Sequence, residues 1–128
     1  MSQADLSCPF CSCPTERVIA ENEVSIAILD AYPVTNSHSL VIPKRHVSSL
    51  FHLTDEELLG CHSLIDSIRS ALLESDDSIL GFNVGVNVGE AAGQTVFHCH
   101  FHLIPRRAND VENPRGGVRN VIPGKGGY

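Results

Sequence analysis

The chain has 128 residues, 42% hydrophobic and 19% charged, with a formal net charge of −6 at neutral pH; this length suits a single domain, residues 1–128, that can bury a modest core of its own. No apolar run approaches the ~18–20 residues of a membrane span, and Met1-Ser2-Gln3-Ala4-Asp5 offers neither the basic nor the apolar region of a secretory signal. Charge is uneven, −9 over residues 1–105 (four basic and thirteen acidic side chains) and +3 over residues 106–128 (five basic and two acidic), and so acidic a body argues against duplex nucleic acid as main partner.

Residues 1–14 are polar, with Cys and Pro, and read as an N-terminal loop. Cys8-Pro9-Phe10-Cys11 within it is a Cys-x-x-Cys pair, the spacing that sets two thiolates on one zinc ion. The alternative is two free thiols, and Cys13 is a competing ligand. Five cysteines are an odd set, which beside a histidine-rich segment suggests reduced thiols and hence the cytoplasm. Val18 to Ala20 and Val24 to Leu29 read as strands of a hairpin around Glu21-Asn22-Glu23. Ala31 to Ser37, with Pro33 and Asn36, is a turn, and Ser39 to Ile42 is a strand ended by Pro43. Thr54-Asp55-Glu56-Glu57 has the capping-box pattern. Leu58, Cys61, Ile65, Ile68 and Leu72 then recur at helical spacing, which predicts a helix from about Asp55 to Leu73. Ile79 to Val88 reads as a strand. His52 and His62 are expected on the surface, and Cys61 and Cys99 in the core. Residues 107–128, with two prolines and five glycines, form an irregular basic tail. One long helix and about five strands predict an α+β fold with an antiparallel sheet.

His98-Cys99-His100-Phe101-His102 carries the strongest chemical signal. Alternation with period two predicts an extended strand with three imidazoles on one face and Cys99, Phe101 and Leu103 on the other. Neighbouring histidines then sit roughly 6–7 Å apart and the outer two about 13 Å apart, too far for one metal ion. Such a row suits an anionic substrate lying along it, with a metal as the other reading. Gly89-Glu90-Ala91-Ala92-Gly93-Gln94-Thr95 leads into it as a Gly-containing turn whose N–H groups can cradle phosphate. Phe10, Ile28 and Leu29 fit either a base pocket or ordinary core.

Gly93-Gln94-Thr95-Val96-Phe97-His98-Cys99-His100-Phe101-His102-Leu103 resembles the signature of the histidine triad family of nucleotide hydrolases and transferases. A second block, His38-Ser39-Leu40-Val41-Ile42-Pro43-Lys44-Arg45-His46, is also similar to that family, as is the acidic Asp30 before it. The likeness runs from about Cys8 to Arg106. It implies an antiparallel sheet with one long helix, joined to a second sheet across a homodimer. The implied activity is cleavage of a nucleoside phosphoanhydride or phosphoramidate through a covalent nucleotidyl-histidine, with a dinucleoside polyphosphate hydrolase favoured. The alternatives are a nucleoside phosphoramidase or a non-catalytic nucleotide- or metal-binding regulatory module. By the same likeness His100 is the nucleophile, and His102, His98 and His38 orient it and hold phosphate oxygens. Asp30 then binds ribose, while Asn87, Gly93, Gln94 and Thr95 bind phosphate or leaving group. Catalysis needs no cofactor. A structural zinc is implied on Cys8, Cys11, His46 and His98, as in many bacterial members. The chain departs from its relatives in lacking their Gly-Glu-Ile-Pro segment after the Cys pair and in its longer tail, whose basic residues suit a longer polyphosphate, an acidic neighbour or plain solvation.

Overall fold

The computed structural model describes residue 5 and residues 7–128. Residues 1–4 and 6 of the N-terminal loop, and with them most of the signal-segment reading, lie outside the described residues. Five strands, β1 (Val18–Glu21), β2 (Ser25–Leu29), β3 (Ser39–Pro43), β4 (Ile79–Val86) and β5 (Phe101–Arg107), form one antiparallel sheet in the order β1-β2-β3-β5-β4. The single α-helix among the described residues, α1 (Asp55–Ser75), lies between β3 and β4 in sequence. This is the expected α+β architecture.

The β1–β2 hairpin is organised by Asn22. Its Oδ1 accepts from Val24 N, Ser25 N and Ser25 Oγ, and its Nδ2 donates to the Gly60 carbonyl of α1 at 2.9 Å. A side chain at Gly60 would strike Val24, so only glycine lets the helix lie this close to the hairpin. The capping box forms as the sequence indicates: Thr54 Oγ1 accepts from Glu57 N and Glu57 accepts from Thr54 N.

The helix covers one face of the sheet. Cys61, Leu64 and Ile68 pack there with Ala27, Val41, Val47, Cys99, Phe101 and Leu103. The buried stripe thus differs from the expected one: Leu64 joins it, and Leu58 is 42% exposed. The reason is a stripe that starts at Glu57, whose buried carboxylate is taken up by Arg45. Cys61 and Cys99 are both buried, and burial pushes their thiols up to about 11 and about 12. His52 and His62 are exposed.

The other face carries a smaller cluster of Ile28, Leu40 and Ile42, against which Phe10 and Cys13 of the N-terminal loop pack. Leu29 is instead exposed. Two expected boundaries move. β4 stops at Val86, before the Gly89–Gly93 turn, and the histidine segment becomes regular strand only at Phe101. The tail is better organised than its composition suggests. A 3₁₀ turn spans Gly117–Val121, and the Arg115 and Arg119 guanidinium groups lie 5.0 and 4.7 Å from the Tyr128 ring centre.

Candidate active site and metal cluster

β3 and β5 lie side by side with Leu40 opposite His102 and Ser39 opposite Leu103. His38, one residue before β3, therefore meets His102, and His38 Nε2 lies 2.9 Å from His102 Nδ1. The tautomers follow from the hydrogen bonds. The backbone N–H of Val34 donates to His38 Nδ1 at 3.1 Å, so the His38 proton sits on Nε2. From there it faces both His102 Nδ1 and the Asp30 carboxylate, 3.4 Å away. His102 Nδ1 then accepts, which leaves its Nε2 as an N–H donor. His100 is set differently. Its Nδ1 donates to the His98 carbonyl at 2.8 Å, leaving Nε2 as the unprotonated nitrogen. The His100 and His102 rings are 5.2 Å apart, closer than a regular strand predicts. Burial lowers the proton affinity of His38 and His102, against a weaker opposing pull from Asp30. Both rings are therefore neutral near pH 7.

These rings line a cavity of about 460 Å³ together with Phe10, Arg17, Asp30, Tyr32, Asn87 and Thr95. A second cavity, about 780 Å³, is lined by residues 83–86 of β4 and by Val118 and Val121 of the tail. The two share Val34, His38, Asn87 and His102. Gln94 is buried and its amide is engaged by backbone. It accepts from Gly89 N and donates to the Ser48 and Val96 carbonyls, so it fixes the turn that presents Thr95. The tail cations are also engaged: Arg106 with Asp110 and Asn83, Arg107 with Asp76 and Ser78.

His98 leaves the row for a different site. Cys8, Cys11, His46 and His98 bring four donor atoms together within 4.8 Å of one another. Cys8 Sγ and Cys11 Sγ are 3.5 and 3.4 Å from His98 Nδ1, Cys11 Sγ is 3.1 Å from His46 Nδ1, and the two Nδ1 atoms are 3.1 Å apart. A tetrahedron with ordinary zinc–sulfur and zinc–nitrogen bonds has edges of about 3.3–3.8 Å; two of these separations fall within that range and the two of 3.1 Å just below it, so the donors are gathered closely enough for one ion. The tautomer fits too. His98 Nε2 donates to the Pro43 carbonyl at 2.7 Å, which leaves the Nδ1 lone pair aimed into the cluster. Cys13 is outside the cluster, with its thiol 3.6 Å from the Pro14 carbonyl. Asp30, His38 and His102 also converge. There the Nε2 proton of His38 occupies the space between the rings, so that group satisfies itself as a hydrogen-bond relay.

Sequence reasoning gave Arg17, Tyr32 and Val34 no part in this site. Of these only Tyr32, an exposed aromatic in a turn next to Asp30, left a legible signal; Val34 acts through its backbone.

A five-stranded antiparallel sheet with one helix, bearing His100 and His102 on β5 and its approach beside His38 on β3, defines the histidine triad fold. The family model described as the HIT domain matches residues 14–109, and the chain belongs to that family. A zinc-bound histidine triad family protein from Mycobacterium smegmatis is 40% identical, with a TM-score of 0.74 over 82% of this chain and 78% of that one. Protein hit of Bacillus subtilis is 39% identical over 105 residues, 78% of this chain and 71% of the relative. An adenylylsulfatase of Arabidopsis thaliana is 38% identical over 90 residues, 70% of this chain and 45% of the relative. Among the described residues no helix is long and apolar enough to cross a membrane.

Proposed function

We propose that this chain is a nucleotide phosphohydrolase that works through a covalent nucleotidyl-His100 intermediate, with dinucleoside polyphosphates favoured over nucleoside phosphoramidates. The observation that carries the reading is His100, whose Nδ1–H is committed to the His98 carbonyl in a ring-lined cavity, so that Nε2 is the nitrogen with the lone pair. Nε2 attacks the phosphorus next to the nucleoside. A phosphorus–nitrogen bond forms, and the bond from phosphorus to the bridging oxygen (or amine nitrogen) breaks, its electron pair leaving with that group. The Nδ1–H bond to the carbonyl spreads the positive charge the ring acquires. The His102 Nε2–H, polarised through His38 and Asp30, donates to a phosphoryl oxygen as negative charge grows. Water then attacks phosphorus, the phosphorus–nitrogen bond breaks, the electron pair returns to Nε2, and the proton that water gives up goes to solvent, from which a departing amine takes its own. Thr95, Gly93 and Asn87 hold phosphate or leaving group, and Asp30 keeps acceptor capacity for a ribose hydroxyl. The adjoining larger cavity supports a substrate with two nucleosides, one on each side of His102.

Cys8, Cys11, His46 and His98 hold one structural zinc in this reading. Bound there, the ion supplies a closed crosslink between the N-terminal loop, the segment after β3 and the approach to β5. His98 then serves catalysis through its carbonyl and donates no proton. A homodimer is also part of the proposal. Its support is the outer edge of β4, which pairs with no further strand among the described residues and leaves Leu80 74% and Val84 47% exposed. The free state of all five cysteines supports a reducing, cytoplasmic setting. The test is kcat/KM across dinucleoside polyphosphates and nucleoside phosphoramidates, measured with and without strong chelator. Preference for the phosphoramidates would reverse the substrate order. Absence of turnover on all of them would leave a binding module.

A further inference from the structure

We infer that metal occupancy of the Cys8–Cys11–His46–His98 cluster and mononucleotide binding in the His100 cavity are energetically coupled, with Phe10 as the link. The inference rests on the nucleotide-binding reading above and concerns its regulation. Phe10 lies between the two cysteine donors, two residues after Cys8 and one before Cys11. The turn that holds it is closed by Ser12 N donating to the Cys8 carbonyl at 3.0 Å. An ion gripping both thiolates therefore fixes the Phe10 backbone from both sides. The ring does not face the metal donors alone. It packs edge-on against His100 with centroids 5.0 Å apart, contacts His98 at 6.0 Å, and forms part of the wall of the nucleotide cavity.

A second link runs parallel to the first. His98 presents Nδ1 to the cluster, Nε2 to the Pro43 carbonyl and its own carbonyl to His100 Nδ1. Whatever fixes the His98 ring fixes the acceptor that sets the His100 tautomer. Residues 7–14 belong to no strand or helix, and their apolar hold on the sheet comes from Phe10 and Cys13. Ordering this segment costs conformational entropy. An ion that orders it first spares the nucleotide that cost, which is positive coupling between two sites. Linkage makes the effect reciprocal: nucleotide must tighten zinc binding by the same factor that zinc tightens nucleotide binding.

Calorimetric titration of AMP and GMP into the full chain, zinc-loaded and chelated, tests this, with circular dichroism to verify that the chelated protein is folded. The better-binding nucleotide should weaken about tenfold on zinc removal, and zinc affinity in competition with a chromophoric chelator should tighten about tenfold at saturating nucleotide. Phe10→Ala should still bind one zinc per chain, bind nucleotide more weakly, and show a zinc dependence below about twofold, with Phe10→Leu intermediate. If chelation unfolds the protein, the reverse titration decides, because it starts from the loaded state. Equal affinities in either direction overturn the coupling, and full coupling in Phe10→Ala overturns the role of Phe10. Failure of the loaded protein to bind either nucleotide overturns the nucleotide reading and this inference together, whereas binding that ignores zinc overturns the coupling alone.

Discussion

Glu57→Gln should destabilise the protein by about 1.5–2 kcal/mol, half the ceiling set by its pKa shift. Arg45 grips Glu57 with two hydrogen bonds, Nε to Oε2 at 2.9 Å and Nη2 to Oε1 at 2.7 Å. That pairing, ahead of the capping contacts at Thr54, holds the Glu57 carboxyl at about 2, against an ordinary 4.5. A shift of this size corresponds to at most about 3.4 kcal/mol. The Arg45 side chain is 31% exposed and the Glu57 side chain 10%, so solvent screens the pair from one side and about half of the ceiling survives. Glutamine keeps an acceptor for Thr54 N, so the cap itself should stay. With unfolding entropy of roughly 2 cal/mol/K per residue, the melting temperature should fall by about 6–7 °C. Urea unfolding of zinc-loaded wild type and Glu57→Gln measures the gap directly. Because the folded carboxyl is depressed, its contribution is complete above pH 4.5 and is lost as pH falls through about 2. The gap should therefore shrink below pH 4.5. A gap under about 0.5 kcal/mol at pH 7, one that does not shrink toward pH 3, or strict additivity with Arg45→Met in a double-mutant cycle would refute the reasoning.

Elemental analysis should find one zinc per chain in wild type, Cys8→Ser or Cys11→Ser should lose it and lower the melting temperature, and Cys13→Ser should leave both unchanged. Cys61 and Cys99, buried and with thiols raised to about 11 and about 12, should resist iodoacetamide at pH 8 until denaturant is added, as mass spectrometry of timed samples will show. Deleting Pro114 to Tyr128 removes Val118 and Val121 from the larger cavity, so KM should rise for dinucleoside tetraphosphates and change little for small phosphoramidates; equal loss on both would mark the tail as a brace.

Much of this fold was legible because its signals are local. The capping box at Thr54, the Asn22 turn and the alternation from Phe101 to Leu103 each act within a few residues of chain. The same holds for the Cys8–Cys11 spacing. What escaped the sequence depends on contacts across the chain. Burial of Glu57 in place of Leu58 follows from Arg45, twelve residues away. Strand spacing alone places His98 in the row, and only the family likeness points it to the cysteines: Cys8, ninety residues earlier, and the Pro43 carbonyl claim its two nitrogens. A strand pattern fixes which face a histidine occupies but not which partner turns its ring. Part of the tail's charge meets acidic neighbours, one of the outcomes its composition allows. Asp110 and Asp76 neutralise Arg106 and Arg107 in the folded chain.

The central claim is that Nε2 of His100 becomes covalently bonded to phosphorus, and trapping that bond tests it most directly. Wild type mixed with a dinucleoside tetraphosphate labelled at the nucleoside phosphate, then quenched in base within milliseconds, should yield a labelled peptide with the nucleotide on His100. The amount should rise before product does and decay as product forms. His100→Ala should fold with an unchanged circular dichroism spectrum, turn over nothing and carry no label. Turnover without label in wild type, or near-normal turnover in folded His100→Ala, would contradict the account.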